Sequence, residues 1–376
     1  MMHNSAIGVG IIGGSINNGW AKGTHVPAIR ELPGLTLAAV ATSRIESAEA
    51  SAREFGAAHA FADAGELARH PGVDLVVASV KVTEHDEAVK AAIGAGKHVY
   101  CEWPLASDTA RAEELLRLAA ESPRLHAVVG LQARQAPEIN YAKDLVADGY
   151  VGRVLSVNLR VNAEIMGGFA FASSRYTLDK SAGGNLFAIY GGHTLDALTY
   201  MLGDFTELSA TVANRYPQAE MIGGNGELAD KSSDDQILLH GKLAGGAMAS
   251  IHIQGGVRHE IGLALDIFGD RGTLALRNAK GSIQMGPYQL LGARRNGLDP
   301  SSPLEPLAVP AAYLRVPESL IRQGGPVVNV AGALGRLAED IREGTSRLPT
   351  FADAVKVHRL LDAVARAAET GERQFV

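Results

Sequence analysis

The chain reads as an α/β protein in two parts. The first is an N-terminal doubly wound parallel sheet, and the second is a C-terminal α+β domain with a large, mostly antiparallel sheet. Three observations carry this reading. Over the first third, short apolar runs alternate with single helical patterns, the rhythm of right-handed βαβ units. The first apolar run feeds a glycine-rich turn and then a helix. Beyond Gly152 several strand-like runs crowd together without helices between them, as in an antiparallel sheet.

The elements follow in order. Ala6 to Ile12 is a buried strand, and a helix opens at Thr24-His25-Val26-Pro27. Leu35 to Ala41 is a strand. Ser47 to Phe55 is a helix ending at Gly56, and Val73 to Ser79 is a strand. Glu84 to Ala95 is a helix closed by Gly96, His98 to Cys101 a strand, Thr109 to Ala120 a helix, and Ala127 to Leu131 a strand. These apolar runs lack polar alternation, so both faces of the sheet are expected to be covered. Further on, Val154 to Val161, Leu208 to Val212, Asp235 to Gly241, Ala247 to Ile253, Ile261 to Gly269 and Thr273 to Arg277 read as strands. Leu243-Ala244-Gly245-Gly246 and Gly269-Asp270 are expected hairpin turns, where glycine tolerates positive φ. One helix, Leu186 to Leu202, interrupts the strands. Helices are expected at Val327 to Glu343 and Phe351 to Thr370, with Gly344 and Pro349 as stops. Leu298 to Pro310 is proline-rich and reads as an exposed connection. The expected division is 1–130, 131–350, and a C-terminal helix in 351–376 packing back on the first domain.

At 376 residues the chain has room for two domains, and 46% hydrophobic with 20% charged residues is an ordinary globular balance. A net charge of −6 argues against a nucleic-acid or membrane surface, which would need clustered cations. Cys101 is the only cysteine, which excludes an intrachain disulfide and any multi-cysteine metal site. The twelve histidines form no helical His-x-x-x-His pair, and no Gly-x-Ser-x-Gly elbow is present. The first residues, Met1 to Ser5, carry no basic leader region, and the apolar run after them is short. A cytoplasmic protein is expected.

Gly13-Gly14-Ser15-Ile16-Asn17-Asn18-Gly19-Trp20 joins the first strand to the first helix. Glycines there let a backbone approach phosphates, and a helix N-terminus adds N–H donors and partial positive charge. The combination is a cradle for a dinucleotide pyrophosphate, and the first domain is then of Rossmann type. Gly8-Val9-Gly10-Ile11-Ile12-Gly13 matches G-x-G-x-x-G letter for letter but lies mostly inside the strand, so it is read as fortuitous. In the true turn Ser15 stands where a glycine is usual. A plain βα turn of another α/β protein is the alternative.

A second cue is Gly94-Ala95-Gly96-Lys97-His98-Val99-Tyr100-Cys101-Glu102-Trp103-Pro104-Leu105-Ala106. With the first turn, Ala78 to His85, and Gly183-Gly184-Asn185 through His193, it makes the chain resemble the Gfo/Idh/MocA oxidoreductase family over nearly its whole length. Within that family the closer resemblance is to the fungal galactose-regulon repressor branch. It rests on Gly19-Trp20-Ala21, Glu102-Trp103, Leu131-Gln132-Ala133-Arg134 and Gly192-His193-Thr194-Leu195-Asp196. That branch binds NAD(P) but acts by protein contact.

The resemblance implies NAD or NADP as cofactor and a sugar-like substrate. The family's usual lysine position is Trp103, which has one N–H donor and no charge. Its usual aspartate position, four residues before the catalytic histidine, is Ile189. His193 is retained as the candidate catalytic base, and Asp196, about one turn on, is expected to orient its ring.

Cofactor contacts are expected from Gly13, Ser15, Asn17, Asn18, Trp20, Ser43, Arg44, Ser79, Lys81, His85, Glu102 and Trp103. The Thr42-Ser43-Arg44 end of the second strand lacks an acid and suits a 2′-phosphate, which favours NADP; Arg44 reads equally as a solvated helix-start residue. Lys81 is the nearest candidate to restore the lost cation, while Lys97 reads as surface. His85 reads either as a pocket residue or as a helix-start histidine. Glu102 is expected to accept from ribose or backbone.

Substrate contacts are expected from Trp103, Arg134, Arg160, Asn162, Tyr176, Tyr190 and His193. Strand alternation puts Arg160, Asn162 and Glu164 on one face, as would the polar face of a half-covered sheet. Three activities follow. The first is a sugar, polyol or glycoside oxidoreductase in carbohydrate metabolism, with a variant site. The second is redox-assisted glycoside cleavage with tightly held NAD. The third is a non-enzymatic NAD(P)-binding regulator. No nucleic-acid or membrane contact is expected. A homodimer or homotetramer through an apolar open face of the C-terminal sheet is.

Overall fold

The computed structural model describes residues 6–17, 19–294 and 303–376. By packing, the chain divides into two units, Met1–Gln132 with Arg315–Lys356, and Ala133–Leu314 with Val357–Val376.

In the first unit β1 (Ile7–Ile12) is buried at every residue. It is followed by two short helical segments, α1 (Gly19–Gly23) and α2 (His25–Glu31). Pro27 cannot donate to the Gly23 carbonyl, which accounts for the break at Thr24. The chain continues through β2 (Leu35–Ala41), α3 (Ile45–Phe55), β3 (His59–Phe61), α4 (Ala64–Arg69), β4 (Leu75–Ala78), α5 (His85–Gly94), β5 (His98–Glu102), α6 (Thr109–Ala120) and β6 (Ala127–Gly130). Local chemistry sets the ends. Asp63 accepts from the Glu66 N–H and Asp108 from the Arg111 N–H, each capping a helix start, and Gly56 closes α3 in a left-handed conformation. The six strands are parallel in the order β3-β2-β1-β4-β5-β6. The strand order therefore reverses between β1 and β4, the switch point outside whose carboxyl ends ligands bind in open α/β sheets.

The second unit begins with α7 (Pro137–Ala147), β7 (Val154–Asn162) and β8 (Phe169–Phe171). A π-helical turn, Phe187–Gly191, leads directly into α8 (Gly192–Leu202). Then come β9 (Phe205–Ala213), β10 (Gln218–Ile222), β11 (Leu228–Asp230), β12 (Gln236–Leu243), β13 (Met248–Gln254), β14 (Gly262–Gly269), β15 (Gly272–Asn278), β16 (Gln289–Arg294) and β17 (Glu305–Pro306). After these lie α9 (Glu318–Gln323), α10 (Pro326–Glu343), α11 (Phe351–Thr370) and β18 (Gln374–Phe375). Nine strands form one sheet in the order β17-β16-β15-β14-β7-β13-β12-β9-β18, antiparallel except for β7 against β13. A small sheet, β11-β10-β8, stands apart from it. The β12–β13 turn carries Gly246 at φ 86°, as the hairpin expectation required. Gly269 serves differently: a Cβ there would lie 2.0 Å from the Val151 carbonyl oxygen, so close packing is what selects glycine.

Two expectations need correction. Residues 315–350, expected in the second domain, pack with the first unit. α10 lays Val327, Val330, Leu334 and Leu337 into the core that also holds Ile29, Leu32 and Val40. Each such fully buried side chain contributes about 1.5–3 kcal/mol. α11 does not belong wholly to the first unit either, since its residues from Val357 onward pack with the second. The open face of the nine-stranded sheet was expected to be apolar. It presents Asn158, Arg160, His240, Lys242 and Ser250, interrupted by exposed Leu238 and Met248. Strict alternation explains this, because the apolar partners Val157, Leu159, Ile251 and Leu239 all point to the covered face. Of the proline-rich 298–310 connection, residues 298–302 lie outside the described residues.

Candidate functional site

In the first unit, Gly13 sits at the switch point with φ 88°, and a Cβ there would lie 2.2 Å from the Ser79 carbonyl oxygen. Both its conformation and its closeness to the end of β4 require glycine. The turn is braced internally. Ser15 N–H donates to the Gly13 carbonyl at 2.8 Å, Ile16 N–H to the Ser51 hydroxyl at 3.1 Å, and Asn17 N–H to the Ser15 hydroxyl at 3.2 Å. Ser51 in turn donates to the Ser47 carbonyl, and Ser47 and Thr42 hydroxyls donate to the Arg44 carbonyl, both at 2.9 Å. This ladder ties the turn to the end of β2 and leaves Ser43 and Arg44 exposed there. A turn that opens on a positive-φ glycine at the switch point, with an exposed cation at the end of β2, fits a dinucleotide. Asn18 lies outside the described residues. Trp20 is half-buried and packs against the core. By contrast, Gly8 and Gly10 lie within β1. A Cβ on Gly8 would meet the Gly72 carbonyl oxygen at 1.9 Å, and one on Gly10 the Leu67 side chain at 2.6 Å, so these glycines serve strand packing.

Ser79 is buried beyond the end of β4, while Lys81 and Glu84 are exposed. His85 is buried, its Nδ1 2.7 Å from the Pro104 carbonyl oxygen and its Nε2 3.2 Å from that of Val80. Burial holds its pKa below the ordinary histidine value, against the opposing pull of these carbonyls. The neutral ring donates through the shorter contact, to Pro104.

Glu102, expected to accept from ribose or backbone, accepts instead from two buried side chains. His25 Nε2 lies 2.6 Å from Oε1, and Gln132 Nε2 donates to Oε2. Tyr100 meets the His25 ring edge-on at 5.6 Å. A Cβ on Gly130 would come within 3.0 Å of Glu102, Gln132 and Tyr100, so the cluster needs that glycine. Trp103 follows, buried, with a cis bond to Pro104. His25 and Gln132 escaped the sequence reading. Nothing in the spacing of residues 25, 102 and 132 announces a cluster. Cys101 is buried, and burial pushes its thiol well up, which disfavours the thiolate.

In the second unit Asn185 starts the helical stretch. Its side chain accepts from the Ala188 N–H at 3.1 Å and donates to the Lys180 carbonyl. This places Tyr190 and His193, both buried, on one continuous helix. Burial pushes the Tyr190 hydroxyl up to about 12, so it is a proton donor at neutral pH. Asp196, read from the sequence as an acceptor for His193, has both oxygens on the Arg134 guanidinium, with contacts at 3.1, 3.1 and 2.6 Å. Arg134 also lies over the Tyr200 ring at 5.3 Å, and Tyr200 donates to Asn140. Tyr176 is half-buried and Ile189 partly exposed.

Arg160 is exposed on the open face of β7, paired in register with His252. Asn162 is committed to structure, donating to the Glu260 carbonyl and accepting from Gln254. Glu164 lies beyond the end of β7 and is exposed, so the expected three-residue polar row reduces to Arg160. Among the described residues no group of three or more His, Cys, Asp and Glu could hold a metal ion. Among the described residues, too, no helix is long and apolar enough to cross a membrane.

The parallel sheet, its switch-point turn and the separate mixed sheet define a nucleotide-binding α/β protein with an α+β companion domain. Residues 7–130 match the model of the oxidoreductase family with an NAD-binding Rossmann fold, and residues 137–278 that of the Gal80p C-terminal domain. The chain is 32% identical over 342 residues to dehydrogenase aclE of Aspergillus oryzae, covering 89% of this chain and 88% of that protein. It superposes on the super-repressor mutant of Gal80p from Saccharomyces cerevisiae with TM-score 0.86 and 26% identity, covering 99% and 98%. Levoglucosan dehydrogenase in complex with NADH and levoglucosan shares the fold at TM-score 0.84 and 21% identity, covering 99% of each chain. The chain therefore belongs to the Gfo/Idh/MocA oxidoreductase family, near its Gal80 branch.

Proposed function

We propose that the protein is an NAD(P)-dependent oxidoreductase of a sugar, polyol or glycoside, working with a variant site. The observation that carries this is Gly13, held at positive φ against Ser79 at the switch point, where no side chain would fit. The dehydrogenase relative supports it. Gly13, Gly14 and the start of α1 would hold the pyrophosphate, and exposed Arg44 would pair with a 2′-phosphate, which favours NADP. When bound, the nicotinamide supplies or accepts the hydride. His193 takes or returns the hydroxyl proton, and the absence of a lysine at Trp103 leaves that histidine as the principal proton carrier. Arg134, fixed by Asp196, and the protonated Tyr190 are polar groups that would orient hydroxyls. Part of the same reading is a cytoplasmic homodimer or homotetramer through the open face of the nine-stranded sheet, where Leu238 and Met248 are the exposed apolar points. Light scattering checks the oligomer, and a monomer at all concentrations contradicts it.

The second reading, a dinucleotide-binding regulator without turnover, is favoured by the Gal80p-type C-terminal domain. Calorimetry with NAD and NADP, followed by nicotinamide absorbance across sugars, polyols and glycosides, separates the two. Turnover that falls ~10²–10⁴-fold in His193→Ala with a native melting temperature supports the enzyme. Tight binding with no turnover on any substrate, and no effect of His193→Ala, supports the regulator. Product from a glycoside without net cofactor reduction marks redox-assisted cleavage.

A further inference from the structure

The buried histidines of the first unit converge on one short segment. His25, wholly buried at the start of α2, has Nε2 2.6 Å from Glu102 Oε1. Its Nδ1 is buried and has no hydrogen-bond partner. A proton on Nδ1 would be a stranded donor, whereas a bare ring nitrogen is the smaller loss. The ring therefore carries its proton on Nε2 and donates it to Glu102. Gln132, just past β6, donates to the other carboxylate oxygen. Two chain segments distant in sequence thus fix Glu102, and Gly130 is kept small to admit the cluster. Two residues on, the Pro104 carbonyl is held by the His85 ring at 2.7 Å, from the start of α5. Between these two anchored residues stands Trp103, itself buried.

We propose that His25 and His85 are positioning residues that clamp Trp103 from its two chain neighbours, His25 through the Glu102 carboxylate and His85 through the Pro104 carbonyl. The clamp fixes the orientation of the indole beyond the carboxyl end of β5. It also joins α2, the second helical segment after the Gly13 turn, to the Trp103 segment, so contacts at the turn and the pose of the indole are set together. The geometric claim stands on the first unit alone. Its bearing on a nicotinamide rests on the oxidoreductase reading above, in which Trp103 occupies the lysine position.

The chain has two tryptophans, Trp20 and Trp103, so Trp20→Phe leaves Trp103 as the sole indole reporter. In that background His25→Leu and His85→Leu each remove one anchor. His25→Gln keeps a donor at the reach of Nε2, and His85→Asn keeps one at the reach of Nδ1. The expected result is a red-shifted Trp103 emission and stronger acrylamide quenching in both leucine variants, with both returning toward the parent in the Gln and Asn variants. Weakening the charge-assisted His25–Glu102 bond is expected to raise the loosened population roughly tenfold, and weakening the neutral His85–Pro104 bond about fivefold. If a leucine variant does not fold, His25→Asn replaces it: that side chain is polar but too short to place a donor at Nε2. Trp103 emission and quenching that match the parent in folded His25→Leu, or that are equal in His25→Asn and His25→Gln, overturn the clamp.

NAD and NADP titrations then separate the two claims. Unsubstituted protein, with Trp20 in place, that binds neither nucleotide refutes the oxidoreductase reading, while the clamp is still judged on the free protein's emission. A parent that binds nucleotide, with affinity and Trp103 emission alike in every variant, refutes the clamp alone.

Discussion

The two units of this protein expose their chemistry in opposite ways. In the first, a parallel sheet brings every strand's carboxyl end to one edge, so the candidate cofactor residues follow strands directly: Gly13 after β1, Ser43 and Arg44 after β2, Ser79 after β4, Trp103 after β5. In the second, the polar groups that meet come from distant places, Arg134 before α7 and Asp196 within α8. Parallel topology concentrates function at predictable positions. An antiparallel sheet with alternating faces spends most of its polar residues on solvent, and only pairing across the fold distinguishes the few that do more.

That contrast can be broken most sharply at Gly13. Gly13→Ala would place a Cβ 2.2 Å from the Ser79 carbonyl at positive φ. We expect a stability loss of ~3 kcal/mol or more and loss of dinucleotide binding, read by denaturant titration and calorimetry. If the variant binds NAD and NADP like the parent, the switch-point turn is not the cradle.

In the second unit, Asp196→Ala leaves the Arg134 guanidinium, 18% exposed, without its carboxylate. A destabilisation of ~3 kcal/mol is expected, at the lower end for breaking a buried pair because the arginine is not fully buried. A loss well under 1 kcal/mol would mean that the pair only orients and does not stabilise.

A smaller effect comes from pH. Burial, helped by neighbouring His126, lowers the His98 pKa from 6.5 to about 4, while Asp74 opposes it. The ring accepts the His126 backbone N–H at Nδ1, a contact only the neutral form allows. Between pH 6.5 and 4 the unfolded chain binds the proton and the native ring does not, so stability falls as pH drops through that window. Above 6.5 the contribution is complete. His98→Asn, which keeps an acceptor for His126, should flatten this slope in thermal melts; an unchanged slope would assign it elsewhere.

The smallest expected effect is on the open sheet face, where Arg160→Ala should change monomer stability by no more than ~0.5 kcal/mol. If Arg160→Ala nevertheless dissociates an oligomer or raises KM without moving the melting temperature, the exposed row is functional, and the two units are less unlike than they look.

Most of the parallel sheet was legible because buried strands announce themselves as unbroken apolar runs separated by glycine and capping residues. The hairpin strands β12 to β15 were visible through alternation, whereas β8, β10 and β11, with 3, 5 and 3 residues, are too short to carry a period. Helix α10 was legible as a helix but not as part of the first unit, since an amphipathic stripe does not say which core it covers. Asp196 was legible as a polar partner but not as Arg134's.

By itself the sequence determined the alternation of elements and the glycine turn, because these depend on backbone preferences and spacing within a few residues. Only the tertiary structure decided what each buried polar group holds: His25 and Gln132 on Glu102, His85 on Pro104, Arg134 on Asp196. The physical reason is that a buried donor or acceptor must find a partner wherever the fold brings one, and residues 25, 102 and 132 are neighbours only after the chain has closed.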